Sequence, residues 1–259
     1  MAEPEFFPAI IENPAARGRL VLVCEHASNH IPSRWGDLGL SPSQRRAHIA
    51  WDPGALGVAQ RLAAELDAVL VHAPVSRLVQ DCNRSPDQAG AVAARSEDQE
   101  IPGNRGLSRR ARAARNAAVY VPFHATLFGL LAQRIALGLA PVLVSVHSFT
   151  PVWFGTPRAV EFGIIHDLDD HLAQALLAEA VQSGALKAAL NAPYSAADDV
   201  THLLRLHALP LGLPNVMLEI RNDLIATAAD EQRMAAMLAP MLATAIAQMH
   251  HETRRGAAS

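Results

Sequence analysis

The chain has 259 residues, half of them hydrophobic, so it can bury a substantial core. Its net charge of −3 excludes the positive field that binding to nucleic acid or an anionic membrane would require. Apolar stretches are too short to span a membrane, and the acidic start of the chain does not resemble a signal peptide. We therefore expect a cytoplasmic protein with neither a nucleic-acid nor a membrane partner.

The predicted elements alternate between strands and helices. A first strand covers roughly residues 19–25 and a second covers 68–72. Between them, Ser41-Pro42 is a helix-start pattern, and residues 57–66 have the periodicity of an amphipathic helix. Residues 85–107 lack periodicity, which predicts a long surface loop of a length that is often functional.

The second half of the chain continues the alternation. Residues 108–137 are predicted to be helical, with a kink or break at Pro122. The later elements are a strand ending at His147, a strand over 162–165, a helix over 168–189, a short helix over 200–208, a strand ending at Glu219 and a helix over 226–250 interrupted near Pro240. This order predicts a single α/β domain over residues 1–259, with a mostly parallel or mixed sheet flanked by helices.

Three of the apolar runs stop on residues that can do chemistry. The run before Glu25-His26, the run before His147 and the run before Glu219 are short and rich in valine or leucine. Such runs are typical of buried strands in a parallel sheet, and ligands bind at the carboxyl ends of those strands. Two histidines and at least one carboxylate are therefore expected to meet at one edge of the sheet, as in a metal-assisted hydrolase.

The predicted metal ligands are His26, His147 and a carboxylate that the sequence leaves open. Neighbouring side chains on a strand point to opposite faces, so Glu25 can share a metal with His26 only if the strand has already ended. Asp52 is therefore favoured as the third ligand. The competing interpretation of Asp52 is a cap for the helix that begins near Pro53.

Glu219 is the candidate general base, because a carboxylate beside an activated water can take its proton and pass it to the leaving amine. A buried salt bridge to Arg221 is the alternative. His124 is a second catalytic candidate that could contact substrate or stabilise an oxyanion. An ordinary histidine at the edge of the core also fits its position.

A polar loop that contains Arg77, Asp81, Asn83 and Arg84 supplies, with its neighbours, candidates for binding the substrate. Arginine and asparagine together can hold a carboxylate, with arginine binding in bidentate fashion. A solvated loop with internal ion pairs is the alternative. The candidate substrate-binding residues are Arg77, Asn83, Arg84, Ser28 and Arg221.

A series of motifs between about residues 20 and 225 resembles the N-formylglutamate amidohydrolase family in composition and order. The motifs are Cys24-Glu25-His26-Ala27-Ser28-Asn29, Trp51-Asp52, Ser76-Arg77-Leu78-Val79, Asp81-Cys82-Asn83-Arg84, Ile101-Pro102-Gly103-Asn104, Pro122-Phe123-His124, Val146-His147-Ser148-Phe149-Thr150-Pro151, Pro193-Tyr194-Ser195 and Leu218-Glu219-Ile220-Arg221-Asn222-Asp223. The resemblance implies a phosphorylase/hydrolase-like fold, similar to zinc carboxypeptidases, and hydrolysis of N-formyl-L-glutamate. It also likens Asn83-Arg84 to a carboxylate-binding pair and Glu219 to the glutamate that assists the water.

Two positions depart from the related patterns. Carboxypeptidases have a glutamate three residues after the first histidine ligand, and Asn29 lies at that position here. The formylglutamate hydrolases of histidine breakdown have a proline before the matching histidine, and this chain has Glu25. These differences predict a divergent branch of the family.

The resulting hypothesis is a metal-dependent hydrolase of a small anionic N-acyl amino acid, with a divalent cation, preferably Zn²⁺. One alternative is a metal-independent enzyme in which Ser28 or Cys24 attacks the substrate and a histidine acts as base. The other is a non-catalytic binder of small anionic metabolites. Cys24 and Cys82 are expected to be free thiols.

Overall fold

The structure is a computed structural model that describes residues 5–256, and the side chains of residues 5–249. In chain order the strands are β1 (Ile10–Glu12), β2 (Leu20–Cys24), β3 (Val69–His72), β4 (Arg95–Ser96), β5 (Gln99–Glu100), β6 (Val142–Phe149), β7 (Val152–Trp153), β8 (Thr156–Pro157), β9 (Phe162–Ile165), β10 (Ala188–Leu190) and β11 (Asn215–Arg221). The helices are α1 (Pro42–Arg46), α2 (Ala55–Glu65), α3 (Arg109–Arg115), α4 (Val121–Ala136), α5 (His171–Ser183) and α6 (Ala228–Gly256).

A seven-stranded sheet forms the centre of the fold, in the order β1-β3-β2-β6-β11-β9-β10. The four central strands β3, β2, β6 and β11 run parallel to one another. Strand β1 is antiparallel to β3, and β9 is antiparallel to β11. The pairs β4–β5 and β7–β8 form two small hairpins outside this sheet. The predicted α/β class with a mixed sheet flanked by helices is confirmed.

Side chains on β6 show how the two faces of the sheet differ. Successive strand residues point to opposite faces, so Val144 and Val146 pack in the apolar layer formed with α2, α5 and α6. Leu143 packs on the other face, in the layer that includes α4. Further along the same face, Ser145 and His147 replace apolar residues. The face toward α4 therefore becomes polar near the carboxyl ends of the strands.

The helical stretch from Arg109 to Ala136 is continuous but widens at its centre. Residues 116–120 form a π-helical turn, in which the N–H of Val121 bonds to the carbonyl of Asn116. Pro122 follows this turn directly. A proline has no N–H to donate within a regular helical turn, and its ring crowds the preceding turn. A wider turn relieves both problems. The predicted disturbance at Pro122 is thus a π turn within one long helix.

Several predicted boundaries are wrong. Strand β6 continues through His147 to Phe149, and β11 continues through Glu219 to Arg221. The helix predicted over 168–189 ends at Ser183, and the chain re-enters the sheet as β10. Helix α6 is not interrupted at Pro240. That proline lies on the exposed side, where water can bond to the carbonyl left without a partner.

Residues 85–107 lie at the surface, as predicted, but a few buried side chains anchor this stretch to the domain. Ala91, Val92 and Ile101 are buried. The buried amide of Asn104 donates to the Leu78 carbonyl at 2.8 Å. The few apolar residues of this stretch are spaced irregularly. Helix and strand periodicity therefore does not predict which of them are buried.

Two predictions from composition concern the rest of the chain. Cys24 and Cys82 are buried free thiols, as expected. Among the described helices, none combines the length and the apolar character needed to cross a membrane.

Candidate metal and active site

A cavity of about 780 Å³ opens near the carboxyl ends of the central parallel strands. Most of the predicted site residues contribute to its lining. These are His26, Asp52, Arg77, Asn83, Arg84, His147 and Glu219. The fold therefore gathers residues that lie almost 200 positions apart in the sequence, as expected for the ligand-binding edge of a parallel sheet.

Three buried side chains form a group that can hold a metal ion. One ligand atom from each of His26, Asp52 and His147 lies within 4.8 Å of the others. Oδ2 of Asp52 is 2.7 Å from Nδ1 of His147 and 3.3 Å from Nδ1 of His26. Two imidazole nitrogens and a carboxylate oxygen are donors that Zn²⁺ commonly takes in catalytic sites.

Each histidine of this group has a second carboxylate behind it. Nε2 of His26 is 2.8 Å from Oδ1 of Asp81. Nε2 of His147 is 3.2 Å from Oε2 of Glu25, an ion-pair contact without hydrogen-bond alignment. Carboxylates favour a proton on Nε2, which leaves the lone pair on Nδ1. Glu25, which also accepts a hydrogen bond from Ser145, therefore supports His147 instead of joining the ligand group.

The spacing and charge of the group fit a small cation. Zinc ligands about 2.0–2.1 Å from the ion are separated from each other by roughly 3.3 Å in a tetrahedral site. Burial by itself would raise the pKa of Asp52, but His26 and His147 outweigh burial and hold that pKa well below its ordinary value. Asp52 is therefore ionised, as a metal ligand must be.

Asp52 is held in place by the turn that precedes α2. Its N–H donates to the His26 carbonyl at 2.9 Å, which ties this turn to the end of β2. Gly54 has a φ of 80°, and a Cβ there would lie 2.3 Å from the Ile225 carbonyl oxygen, so only glycine fits. The Asp52 carboxylate makes no helix cap, since Gly54 is the cap residue and lacks a capping side chain.

Glu219 lies beside His147, because the two are partners in the register of β11 and β6. Only 5% of Glu219 is exposed, and its buried Oε2 has no hydrogen-bond partner among the described residues. Burial raises the pKa of Glu219 to about 7, against the opposing effect of His147. The alternative salt bridge to Arg221 does not form, because that guanidinium pairs with Asp223 at 2.8 Å.

Arg77 and Asn83 line the cavity but are engaged by the protein itself. Arg77 Nη2 is 2.8 Å from Asp81 and its Nη1 is 3.5 Å from Asp52, so it bridges two carboxylates around His26. The amide of Asn83 donates to the Val200 carbonyl at 2.6 Å and accepts from the Leu203 N–H at 3.0 Å.

Arg84 differs from these two residues. Its Nη1 donates to the carbonyl oxygen of Asp198 at 2.6 Å. Within residues 5–249, no carboxylate forms an ion pair with it. Arg84 therefore keeps its charge available to the cavity.

Three predicted residues lie outside the cavity lining. Ser28 accepts a hydrogen bond from the His30 N–H at 3.0 Å, and Arg221 is paired as described above. His124 is buried behind the 81–84 loop, where its Nε2 donates to the Cys82 carbonyl at 3.0 Å. None of these side chains is placed to contact a bound substrate directly.

Sequence reasoning missed several residues of the cavity. Asp81 was expected only as part of a polar loop, although it bonds to His26. Arg158 and Tyr194 also line the cavity. Tyr194 lies in a motif of the resemblance given above, which could have identified it. Arg158 lies in none of the motifs given above, so the sequence analysis offers no signal for it.

Comparison with known proteins identifies the family. A family model described as N-formylglutamate amidohydrolase matches residues 18–226. No curated protein matches the chain. The crystal structure of gene product Atu2144 from Agrobacterium tumefaciens is similar, with 48% identity, a TM-score of 0.93, and coverage of 96% of this chain and 99% of that chain.

An N-formylglutamate amidohydrolase from Ralstonia eutropha JMP134 shares the fold at 18% identity, with a TM-score of 0.68 over 96% of this chain and 99% of that chain. The matched region extends from just before β2 to just after β11 and contains every residue of the metal-binding group. On this match, the chain belongs to the N-formylglutamate amidohydrolase family and is a hydrolase of amide C–N bonds.

Proposed function

We propose that this protein is a metal-dependent amidohydrolase that converts N-formyl-L-glutamate and water to formate and L-glutamate. The observation that carries the proposal is the convergence of His26, Asp52 and His147 in a cavity that also contains Glu219. A divalent cation held by the first three residues, preferably Zn²⁺, would polarise the acyl carbonyl and acidify a water molecule.

Glu219 is the residue that moves the proton. Its buried Oε2 has no hydrogen-bond partner among the described side chains, and its pKa is raised to about 7, chiefly by burial. A carboxyl group with that pKa can accept a proton from the attacking water and then donate it to the leaving amine nitrogen as the C–N bond breaks. The products are then the free amine of glutamate and formate.

We assign substrate binding to Arg84 and a positioning role to Arg77 and Asn83. Arg84 has no carboxylate partner among the described residues, so its guanidinium can bind the substrate's α-carboxylate. Arg77 holds Asp52 and Asp81 in place. Asn83 fixes the loop on which Arg84 lies, through bonds to the 200–203 backbone.

The surroundings of Cys24 and Ser28 do not favour the metal-independent alternative. The Cys24 thiol is fully buried, and burial together with Asp52 raises its pKa well above the ordinary value. A thiol that stays protonated is a poor nucleophile. The Ser28 hydroxyl lies outside the cavity lining and is bonded to the His30 N–H.

The test pairs elemental analysis of the purified protein with formate release from N-formyl-L-glutamate before and after chelation. We expect about one equivalent of divalent metal and a loss of turnover on chelation that Zn²⁺ restores. The variant Asp52→Asn should lose both metal and activity.

Turnover that survives verified metal removal would refute the metal mechanism. Metal-dependent turnover of other N-acyl amino acids without formate release would refute N-formyl-L-glutamate as the substrate. Binding of N-formyl-L-glutamate without any turnover would instead support the non-catalytic binder.

A further inference from the structure

The cavity contains an arginine that the proposed reaction has not yet used. Arg77 is committed to two protein carboxylates. Arg158 also lines the cavity, but no carboxylate within residues 5–249 forms an ion pair with it. Its one polar side-chain contact with the backbone is long, at 3.3 Å from Nη1 to the Thr150 carbonyl. A half-buried cation without an anion is costly, so this position favours an anionic ligand.

Aromatic rings hold the Arg158 guanidinium without neutralising it. The central carbon of the guanidinium lies 4.8 Å from the ring centre of Trp153, 4.9 Å from that of Tyr194 and 5.5 Å from that of Phe149. Stacking on rings fixes the plane of a guanidinium and leaves its N–H groups free to bind a carboxylate in bidentate fashion. We call Arg158 and these three rings the arginine cage.

The arginine cage is linked to the reacting end of the cavity through Tyr194. Burial and the nearby charge of Glu219 raise the pKa of Tyr194, and Arg158 opposes this rise. Tyr194 is thus within electrostatic reach of both the proposed base and the cage. Arg158, Tyr194 and Glu219 also line the same cavity, so one bound molecule can contact the cage at one end and the proposed base at the other.

We propose that Arg158 is a specificity-determining residue that binds the side-chain carboxylate of an acidic N-acyl amino acid. The inference rests on the proposed hydrolysis of N-formyl-L-glutamate and assigns the two substrate carboxylates to different arginines. The rings of the cage offer apolar surface for the two methylene groups of a glutamate side chain. Arg84 lies beside a backbone carbonyl instead of such rings and is left for the α-carboxylate.

The test combines three variants with three substrates. N-formyl-L-glutamine replaces the side-chain carboxylate by a neutral group of the same shape, and the α-amide of N-formyl-L-glutamate removes the other charge. We expect the wild-type protein to prefer N-formyl-L-glutamate over N-formyl-L-glutamine by about 10–100-fold in kcat/KM. In Arg158→Gln this preference should fall to within about threefold, because KM for N-formyl-L-glutamate rises while kcat changes little.

Arg34→Gln is the matched control, since Arg34 also stacks on rings, 4.1 Å from Trp35 and 4.8 Å from Phe7, but lies outside the cavity lining. The preference of Arg34→Gln for N-formyl-L-glutamate over N-formyl-L-glutamine should equal that of the wild type. Arg158→Lys should restore part of the preference lost in Arg158→Gln. The proposal is overturned if Arg158→Gln still prefers N-formyl-L-glutamate over N-formyl-L-glutamine. It is also overturned if Arg158→Gln loses only its discrimination against the α-amide.

Calorimetric titration with L-glutamate and L-glutamine separates this inference from the proposed reaction. If no substrate is hydrolysed, the proposed function fails, but the cage still predicts that wild-type protein binds L-glutamate at least tenfold more tightly than L-glutamine. Arg158→Gln should abolish that difference. Equal binding of the two amino acids by the wild type would overturn the cage as a carboxylate site.

Discussion

Glu219 and Asp52 are buried carboxyl groups of one cavity, and their surroundings shift their pKa values in opposite directions. His26 and His147 hold the pKa of Asp52 well below its ordinary value despite burial. Burial raises the pKa of Glu219 to about 7, and no hydrogen bond satisfies its Oε2. The lowered pKa of Asp52 suits a permanent ligand, and the raised pKa of Glu219 suits a proton carrier.

Replacement of Glu219 by glutamine should lower kcat by about 10²–10⁴-fold, because the amide cannot accept the proton of the attacking water. KM should change little, since the side chain keeps its shape. Steady-state kinetics of formate release measure both quantities. Glu179→Gln, a change on α5 outside the cavity lining, is the control and should behave as wild type. Near-normal turnover of Glu219→Gln would exclude Glu219 as the base.

Replacement of Glu25 by glutamine should weaken metal binding by about 10–100-fold, because His147 loses the carboxylate that orients its ring. Competition with a chromogenic chelator measures this affinity. Glu12→Gln removes a carboxylate 2.9 Å from His72, away from the metal-binding group, and should leave the affinity unchanged. Equal affinities for Glu25→Gln and wild type would mean that Glu25 does not support the site.

At the scale of elements, β9 must approach the 191–194 segment closely. A Cβ on Gly163 would lie 2.1 Å from the Ala192 carbonyl oxygen and 3.1 Å from the Cβ of Glu219. The absence of a side chain therefore lets the segment that carries Tyr194 pass directly over the strand next to Glu219.

Gly163→Ala should lower the free energy of unfolding by about 1–3 kcal/mol, because the added methyl group overpacks this contact. It should also reduce kcat/KM, since both Tyr194 and Glu219 are displaced. Gly129→Ala on α4 is the matched control, because no atom lies within 4 Å of the added Cβ. The control should be stabilised by about 0.5–1 kcal/mol. Denaturant titration would contradict the argument if both variants were stabilised.

The long helix and the π-helical 204–208 segment meet at a pair of buried histidines. His124 donates from Nε2 to the Cys82 carbonyl, so its Nδ1 accepts from Nε2 of His207, at 2.7 Å. The remaining Nδ1 of His207 is buried and finds no hydrogen-bond partner within residues 5–249. Burial lowers the pKa of His124 to about 2 and that of His207 to about 4. The pair therefore remains neutral in the folded protein.

This neutrality predicts acid sensitivity. In the unfolded chain both histidines bind protons below about pH 6.5, whereas in the folded chain they do not. The contribution of this pair to the free energy of unfolding should therefore decrease as the pH falls from 7 to 5, by up to about 1.4 kcal/mol per pH unit for each histidine. His207→Gln should show a shallower decrease in urea titrations. The exposed change His30→Gln should keep the wild-type slope, and an unchanged slope in His207→Gln would refute the linkage.

On the scale of the whole molecule, the candidate metal ligands come from three separate parts of the chain. His26 follows β2, Asp52 precedes α2 and His147 lies within β6. A cation held by all three would connect them in the folded state only. Free Zn²⁺ at 1,000 times its Kd would contribute about 4 kcal/mol.

Chelation should consequently lower Tm by roughly 8–16 °C for a chain of this size, and added Zn²⁺ should restore it. Asp52→Asn should show no such dependence on Zn²⁺. Thermal unfolding followed by circular dichroism makes the measurement. A wild-type Tm that is insensitive to verified metal removal would argue against a structural contribution from this group.

The sequence predicts the sheet and the convergence of His26, Asp52 and His147 because both depend on short-range patterns. Apolar runs identify β2, β6 and β11, and the polar residues that end them converge by the geometry of parallel strands. The sequence does not predict that His147 and Glu219 lie inside their strands. An ionisable residue after an apolar run indicates the end of a strand when no nearby residue in the sequence could pair with it on burial. Nor does the sequence predict that Asn83 bonds to the backbone of Val200, which is 117 residues away.

The β7–β8 hairpin carries Trp153 and precedes Arg158, yet it lies outside the central sheet. The proposed ligands and base, by contrast, lie on or next to the central strands. Selection can therefore exchange one short hairpin to change which N-acyl amino acid is accepted, while the machinery for bond cleavage stays intact. Divergence within the family should accordingly concentrate in residues 152–158. Grafting this segment between relatives offers a direct way to transfer substrate preference.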